Sequence, residues 1–373
     1  MITVKEISTK KELKQFVKFP FKLYKNNKYW VPPIIKDEVN SFDKTKNPVF
    51  EHADARFFLA YKNDKIVGRI SAMINWIEVR EQKVKKMRFG WFDFIDDLEV
   101  SKSLLEKVIK IGNENNLEFI EGPVGFSNLD KVGVLTYGFD HIGTMVTWYN
   151  YPYYEHHYKQ FGLEVSKKYI EDYFLLKNVD VHKFSRINKI LKARYKLREL
   201  NFTSSRDIIP YVDELFAIFN SSYSKLSTFI PVTDAQIVFF KKKFIPFINP
   251  EFIKFVIDEN KRLVAFAITM PSFAKALQKA KGKLFPSGVF HLLKARNNSD
   301  TAILYLIGVI PEYQKKGVTS IIFEECYKSY IKLGIGKGII TPELEDNTEI
   351  HLIWRNFNPV IHKKRCTFKL DIQ

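Results

Sequence analysis

The chain has 373 residues, of which 46% are hydrophobic, and a formal net charge of +17 at pH 7. This length suits two domains better than one, and the apolar content is ample for buried cores. The best uninterrupted apolar run, Ala302–Ile310, is far shorter than the roughly 20 residues that cross a bilayer. The N-terminus lacks the apolar centre of a secretory signal, and Cys326 and Cys366 offer neither a disulfide framework nor metal-ligand spacing. We therefore expect a reduced, cytoplasmic protein without a metal site.

The positive charge admits two interpretations. It would attract an anionic partner such as a phosphorylated ligand, an acidic lipid surface or a nucleic acid. Alternatively, the positive charge only reflects an overall composition that is rich in Lys, Asn, Ile and Phe. The basic clusters are scattered, and no arginine–aromatic ladder or zinc-finger spacing accompanies them. Nucleic acid is therefore disfavoured, whereas peripheral contact with an anionic membrane, on the inner side, stays open.

The chain repeats one order of elements. Its first half predicts a hairpin, a strand, a helix and a strand at Phe57–Asn75, Met87–Ile95, Val100–Asn115 and Glu118–Pro123. Its second half predicts the same order at Lys254–Ser272, Ala302–Ile310, Val318–Leu333 and Lys337–Pro342. Such an internal repeat predicts two domains of similar fold. We expect these domains at residues 1–178 and 195–373, joined by a basic linker helix over 179–194.

The most informative segment is the junction between the apolar strand and the helix of the second half. It contains Pro311 and the turn Gln314-Lys315-Lys316-Gly317-Val318-Thr319. A glycine-containing turn before a helix leaves backbone N–H groups free at the positive end of the helix dipole. Two adjacent lysines add charge, so a pyrophosphate is a natural occupant. The alternative is an ordinary crossover in which the glycine eases the turn and the lysines are solvated.

This turn resembles the loop of the GNAT superfamily of acyl-CoA-dependent N-acyltransferases, whose pattern is Q/R-x-x-G-x-G/A. Gln314 and Gly317 match the pattern, and Thr319 stands where the second glycine or alanine is usual. The repeated order of elements also resembles the GNAT core. The resemblance implies a mixed α/β fold of two tandem GNAT-like domains, each a mostly antiparallel sheet flanked by helices. The whole chain is similar to bacterial tandem GNAT-like proteins, some of them linked to ceramide-type N-acylation.

The two halves differ in the elements that the resemblance assigns to the coenzyme. In the first half, Asp96 and Asp97 stand at the position of the phosphate loop and would repel a pyrophosphate. We therefore expect a degenerate first domain without a phosphate loop, in which Tyr158, at the place of the late GNAT tyrosine, is structural. In the second half Trp354 replaces that tyrosine. An indole N–H is too weak an acid to protonate a leaving thiolate.

The resemblance implies that acetyl-CoA or a longer acyl-CoA binds to the second half as co-substrate. The strand before the turn would bind the pantetheine through backbone hydrogen bonds, as it would bind an additional strand. Backbone N–H groups near the end of this strand would stabilise the oxyanion of the tetrahedral intermediate. The residues implied in coenzyme binding are Val309, Ile310, Gln314, Lys315, Lys316, Gly317, Val318, Thr319 and Asn347.

An amine acceptor must lose a proton, so the reaction needs a base. The central strand offers Tyr305, and the segment after the next strand offers Glu343, Glu345 and His351. Each has a plain structural alternative, because loop carboxylates are mostly solvated and a histidine can cap or pack. These residues are therefore candidates for the catalytic role.

An insertion precedes the central strand of the second half and combines Phe285 and Phe290 with the basic segment Lys279–Lys283. It predicts a lid over a long acyl chain, contact with lipid, or a helix packed against the first domain. We hypothesise an N-acyltransferase that moves an acyl group from acyl-CoA to a primary amine, favouring a long-chain or lipidic amine. The alternatives are a non-catalytic GNAT scaffold that binds coenzyme A or lipid, and an aminoacyl-tRNA-dependent transferase.

Overall fold

The computed structural model describes residues 1–224, 226, 229–245 and 248–372. The strands of the first half are β1 Ile2–Glu6, β2 Ala53–Lys62, β3 Lys65–Asn75, β4 Lys86–Phe94, β5 Phe119–Gly122, β6 Val134–Tyr137 and β7 Glu164–Leu175. Those of the second half are β8 Arg198–Leu200, β9 Ile253–Ile257, β10 Leu263–Pro271, β11 Thr301–Val309, β12 Lys337–Ile340, β13 Glu343–Leu344 and β14 Val360–Asp371.

The helices lie between these strands. Those of the first half are α1 Lys10–Leu23, α2 Ile35–Ser41, α3 Leu98–Glu114 and α4 Tyr153–Gln160, and the linker helix α5 spans Val181–Tyr195. Those of the second half are α6 Val212–Tyr223, α7 Asp234–Lys243, α8 Ala274–Ala280, α9 Gly288–Asn297, α10 Thr319–Lys332 and α11 Thr348–Trp354. Over the described ranges, no helix is long and apolar enough to cross a membrane.

All the strands join one sheet, with the order β1-β2-β3-β4-β5-β14-β7-β12-β11-β10-β9-β8, and β6 and β13 pair with β14 and β7. The β4–β5 and β11–β12 pairs are parallel and the remaining pairs are antiparallel. The predicted hairpins are β2–β3 and β9–β10, and the predicted crossover helices are α3 and α10. The mixed, mostly antiparallel fold expected from the repeat is confirmed.

The last strand of each half lies in the other half of the sheet. Strand β7 pairs with β12, where Lys337 faces Leu175, and β14 pairs with β5, where Phe368 faces Gly122. The two exchanged strands also pair with each other along most of their length. The predicted domain limits, 1–178 and 195–373, follow the sequence repeat. In the sheet, however, each half contributes its last strand to the other half. This exchange brings residues of the first half to the site of the second.

Each half has a hydrophobic core between the sheet and its crossover helix. In the first half α3 buries Val100, Leu104 and Val108, which recur at helical spacing on one face. In the second half α10 buries Ile322 and Cys326 against β9 and β10. Burial of such a side chain contributes roughly 1.5–3 kcal/mol, and it holds the N-terminus of α10 beside the end of β11.

The insertion formed by α8 and α9 packs one of its faces against the first half. The side-chain amide of Gln278 donates hydrogen bonds to the carbonyls of Lys28 and Trp30, at 2.9 and 3.0 Å. Leu277 and Leu292 join an apolar cluster with residues of the first half. Of the three interpretations of this segment, packing against the first domain is therefore confirmed for that face.

Candidate functional site

A cavity of about 1320 Å³ opens where β11 and β12 diverge. The two strands pair only from Thr301 to Leu304 on β11, after which β11 continues to Val309 while β12 ends at Ile340. The register of β11 against β10 shifts between Leu304 and Leu306, so Tyr305 forms a bulge. A bulge bends its strand, which helps to separate β11 from β12. The separation leaves one edge of β11 facing the cavity.

Beyond Leu304, the backbone of β11 pairs with none of the described strands along this edge. The carbonyls of Ile307 and Val309 accept hydrogen bonds from the hydroxyls of Tyr223 and Ser222, at 3.1 and 2.9 Å, rather than from a neighbouring strand. In a strand of antiparallel type, the N–H and C=O of one residue point to the same side. The amides of Ile307 and Val309 therefore also face the cavity. Edge amides of this kind can bind an extended ligand or an oxyanion.

The turn after β11 has the backbone geometry of an anion site. Lys315 and Gly317 both adopt the left-handed conformation, with φ of 62° and 76°, which is uncommon for a residue with a side chain. Left-handed residues next to right-handed ones curl the backbone into a concave run of N–H groups. Helix α10 then begins at Thr319 with no side-chain cap. The amides of Ser320 and Ile321 donate to the carbonyls of Gly317 and Val318, at 3.0 and 3.1 Å, so an anion would meet the amides that precede them. The members of the turn that line the cavity are Gln314, Lys315, Gly317, Val318 and Thr319.

Two side chains of the turn make contacts that a ligand could replace. The amide of Gln314 donates to the carbonyl of Val309 at 3.1 Å. The ammonium of Lys315 pairs with Glu349 at 2.9 Å, and both side chains are about three-quarters exposed, at 78% and 70%. An exposed ion pair contributes little stability, so the lysine can turn to a phosphate at low cost.

The remaining predicted coenzyme residues lie at or just outside the cavity wall. The ammonium of Lys316 lies over the rings of Tyr195 and Tyr313, 5.2 and 5.0 Å from their centroids. Asn347 lines the cavity and caps α11 through its side chain. Ile310 is buried in the core beneath the turn. The structure thus brings the turn and Asn347 together and places Lys316 and Ile310 behind them.

Strand β13 carries Glu343 into the same cavity. The indole N–H of Trp354 donates to Oε1 of Glu343 at 2.8 Å, and Oε2 has no hydrogen-bond partner. Burial raises the pKa of Glu343 to about 8, the Trp354 hydrogen bond opposes this shift, and the charge of Asp172 adds to it. A carboxylate that titrates near neutral pH, with one free oxygen, is suited to act as a general base.

His351 lies behind Glu343, with Nδ1 3.8 Å from its Oε2. The other ring nitrogen, Nε2, faces the carbonyls of Leu344 and Glu345 at 3.1 and 3.3 Å. Because carbonyls only accept hydrogen bonds, Nε2 carries the proton in the neutral ring and Nδ1 has the lone pair. Nδ1 of His351 thus faces Glu343 at more than hydrogen-bond distance, so direct proton transfer between them requires a small side-chain movement.

Among solved structures, a tandem GNAT protein from the clavulanic acid biosynthesis pathway matches this chain over 100% of its length and 98% of that chain, with a TM-score of 0.58 and 8% identity. The chain has the tandem GNAT fold. At 8% identity, this similarity shows the fold alone. It confirms the tandem arrangement that the repeat and the turn predict.

Two curated proteins resemble the chain in sequence. Protein YghO of Escherichia coli (strain K12) is 25% identical over 321 residues, which are 86% of this chain and 81% of that protein. The bacterial ceramide synthase of Caulobacter vibrioides (strain NA1000 / CB15N) is 26% identical over 300 residues, 78% of this chain and 76% of that protein. No family model matches the chain.

Within the GNAT fold, Tyr305 and Glu345 are placed less favourably for catalysis than Glu343. The hydroxyl of Tyr305 donates to the carbonyl of Leu129 in the first half at 2.8 Å, and burial raises the pKa of this phenol. Tyr305 is therefore a hydrogen-bond donor that joins the halves. Glu345 does not line the cavity, and its carboxylate is 3.5 Å from the ammonium of Lys364.

The corresponding gap of the first GNAT-like half is filled by aromatic side chains. The ring of Tyr154 stacks on Phe94 with centroids 4.3 Å apart, and its hydroxyl accepts from the Phe94 amide at 3.3 Å. Tyr158 is also buried, and its hydroxyl has no hydrogen-bond partner. Asp97 caps α3 and pairs with Lys62 at 2.7 Å. These contacts are structural, and the absence of a coenzyme site in the first half stays a prediction.

Asp172 is a site residue that sequence reasoning missed. It lies on the exchanged strand β7, and its Oδ1 has no hydrogen-bond partner. Burial raises the pKa of its carboxyl, and the charge of His351 opposes that shift. Asp172 is 171 positions before Glu343 in the chain, and no motif surrounds it, so only the exchange of strands reveals that the two carboxylates interact.

The titration of Glu343 gives a test of this cluster. Asp172→Asn removes a neighbouring negative charge, so we expect the pKa of Glu343 to fall. If activity depends on the Glu343 carboxylate, the rise of kcat/KM with pH should then move to lower pH. Trp354→Phe removes a hydrogen bond that favours the carboxylate, so the same rise should move to higher pH. The indole also packs on Phe323, with ring centroids 5.0 Å apart, and phenylalanine retains much of that contact. Shifts of equal sign in the two pH profiles would contradict this assignment.

Proposed function

We propose that this protein is an N-acyltransferase that moves an acyl group from acyl-CoA to a primary amine. The main observation in support of this proposal is that one cavity combines three features. They are an unpaired strand edge, a turn before α10 that is suited to an anion, and the carboxyl of Glu343 with its raised pKa. The tandem GNAT fold supports this class of reaction in general. No covalent intermediate with the protein is needed, because donor and acceptor can meet in one cavity.

The turn would hold the pyrophosphate of acyl-CoA through its backbone N–H groups, with Lys315 released from Glu349 to add charge. The edge of β11 would bind the pantetheine as if it were an added strand. The Val309 amide would donate to the oxyanion that forms as the amine attacks the thioester carbonyl. One such donor typically lowers the barrier by about 2.7–4 kcal/mol.

Glu343 would take the proton that the attacking amine loses, and His351 would accept it next. The bond between nitrogen and the acyl carbon forms, the carbon–sulfur bond breaks, and coenzyme A leaves as the thiolate. Trp354 points its only donor at Glu343, so its role in this proposal is to position the base rather than to protonate the thiolate. The first half would complete the acceptor side of the cavity, because Asp130 and Lys131 line it.

The cavity is large enough for both substrates. Its volume of about 1320 Å³ exceeds the usual range of roughly 300–1,000 Å³ for small-molecule sites, as a site that holds acyl-CoA and an acceptor together requires. The sequence similarity to a bacterial ceramide synthase supports a long-chain acceptor. We therefore propose a long-chain or lipidic amine as acceptor and a long-chain acyl-CoA as donor.

Coenzyme binding and turnover can be tested separately. Coenzyme A at 100 times its dissociation constant should stabilise the protein by about 2.7 kcal/mol, seen as a rise in Tm. Thiol release from acetyl-CoA and from a long-chain acyl-CoA is then measured with amino acids, polyamines and sphingoid bases. We expect release with the long-chain donor and a sphingoid base. Stabilisation without thiol release for any acceptor would instead indicate a non-catalytic scaffold, and no stabilisation at all would favour an aminoacyl-tRNA donor.

A further inference from the structure

We propose that the insertion over residues 272–299, which contains α8 and α9, docks the protein on an anionic membrane surface. This inference goes beyond the proposed reaction, and a binding experiment tests it without turnover. The insertion exposes both basic and apolar side chains, and this combination fits an anionic lipid surface.

The charge of the insertion is of one sign. Residues 272–299 include no Asp or Glu, and their basic side chains are Lys275, Lys279, Lys281, Lys283, Lys294 and Arg296. The lysines are exposed. Elsewhere the chain mixes the two signs, with 42 acidic residues against 53 basic ones. Among the residues that the structure describes, the one acidic contact of the insertion is that of Lys275 with Asp300, at 3.9 Å, and both side chains are exposed. A surface with this excess of basic residues is attracted to anionic lipids.

Large apolar side chains project from the same insertion. Phe285 is 72% exposed, Phe290 is 70% exposed and Leu293 is 49% exposed. Phe290 and Leu293 are three residues apart on α9 and therefore share a face. Leu292, by contrast, packs into the cluster that joins the insertion to the first half. A lid closed over an acyl chain would bury these rings, so their exposure favours an external apolar phase.

The combination distinguishes a membrane from other anionic partners. Exposed phenylalanine and leucine side chains can enter the boundary between headgroups and acyl chains while the surrounding lysines contact the headgroups. A nucleic acid would use arginine and aromatic side chains along a groove, and the insertion has one arginine, Arg296, whose guanidinium donates to the carbonyl of Ile248. The contact would be peripheral, since none of the helices the structure describes could span a bilayer.

Sedimentation of the full chain with vesicles tests this proposal. We expect binding to vesicles of phosphatidylcholine mixed with phosphatidylglycerol, weak binding to phosphatidylcholine alone, and release by salt. Lys279→Glu with Lys283→Glu should weaken binding at least about tenfold, and Phe285→Ser with Phe290→Ser should also weaken it. The matched charge control is Lys102→Glu with Lys110→Glu, two exposed lysines of α3, which should bind as the unchanged protein does.

The experiment also has outcomes that overturn the proposal. Equal binding to both kinds of vesicle, or unchanged binding of the Lys279/Lys283 variant, would contradict the role of the basic side chains in binding. Binding of transfer RNA but not of vesicles would indicate that the partner of this surface is a nucleic acid and not a membrane. Phe290→Trp reports insertion directly: a blue shift in its emission on adding mixed vesicles is expected, and sedimentation without that shift would overturn the role of the apolar side chains. An unchanged Tm and an unchanged response to coenzyme A show that each variant is folded.

Discussion

Replacing Glu343 with glutamine is expected to lower kcat by about 10²–10⁴-fold, the usual contribution of a positioned general base. Glutamine keeps an oxygen that can accept the hydrogen bond of the Trp354 indole, which is 2.8 Å in the unchanged protein. The change therefore removes the base while it preserves the local packing. Steady-state kinetics with a long-chain acyl-CoA and a sphingoid base measure the effect.

The pH profile separates this role from a structural one. Glu343 acts as a base only when it is deprotonated, and burial raises its pKa to about 8. We expect kcat/KM of the unchanged protein to rise with pH to a plateau above about pH 8, and the residual activity of Glu343→Gln to lack that rise. Glu345→Gln removes a carboxylate that does not line the cavity. An equal loss of activity there would contradict the assignment to Glu343.

Stability gives the control for folding. The folded pKa of Glu343 lies above its unfolded value near 4.5, so the folded protein binds more protons between these values. Its protonated form therefore supports stability at low pH, and this support is lost as the pH rises through about 8. Glutamine cannot ionise, so Glu343→Gln should be at least as stable as the unchanged protein above pH 8. A lower Tm at that pH would mean that the loss of activity reflects unfolding.

Reversing the charge of the turn is expected to weaken coenzyme A binding by about 10²-fold. Lys315→Glu and Lys316→Glu place two carboxylates beside the pyrophosphate site, where like charges are costly. The same reversal at Lys102 and Lys110 on α3 is the control for net charge and should leave the affinity nearly unchanged. Isothermal titration calorimetry measures each dissociation constant. Raising the salt concentration should reduce the difference in coenzyme A affinity between the variants and the unchanged protein.

Gly317→Val tests the backbone of the same turn. An added Cβ would meet only the side chain of Leu191, at an ordinary contact distance of 3.4 Å, but φ is +76° at this position. A β-branched residue is strained in the left-handed region by roughly 1–2 kcal/mol, so the turn should rearrange and lose further affinity. If both the charge reversal and Gly317→Val leave coenzyme A affinity unchanged, the phosphate site is not at this turn.

Several features of this protein follow from the sequence because their causes are local. Alternation of apolar residues and short polar turns predicts the two hairpins, and β11 begins and ends within one residue of the predicted strand Ala302–Ile310. The turn before α10 is equally local: a glycine and two adjacent lysines before a helix predict an anion site. The repeat of these elements then predicts the tandem fold.

The surroundings of Glu343, the proposed base, are set by contacts between distant parts of the chain. The sequence names Glu343 as one candidate among several, whereas burial, the Trp354 hydrogen bond and the charge of Asp172 give it the raised pKa. Asp172 reaches this site only because β7 and β14 exchange places between the halves.

The sequence by itself therefore determined the elements, their repeat and the turn at α10, since periodicity and turn chemistry act over a few residues. The tertiary structure alone decided which strands pair across the two halves, because side chains that alternate along a strand define a buried face but not the partner strand. That choice of partner sets the cavity wall and the charge around the proposed base.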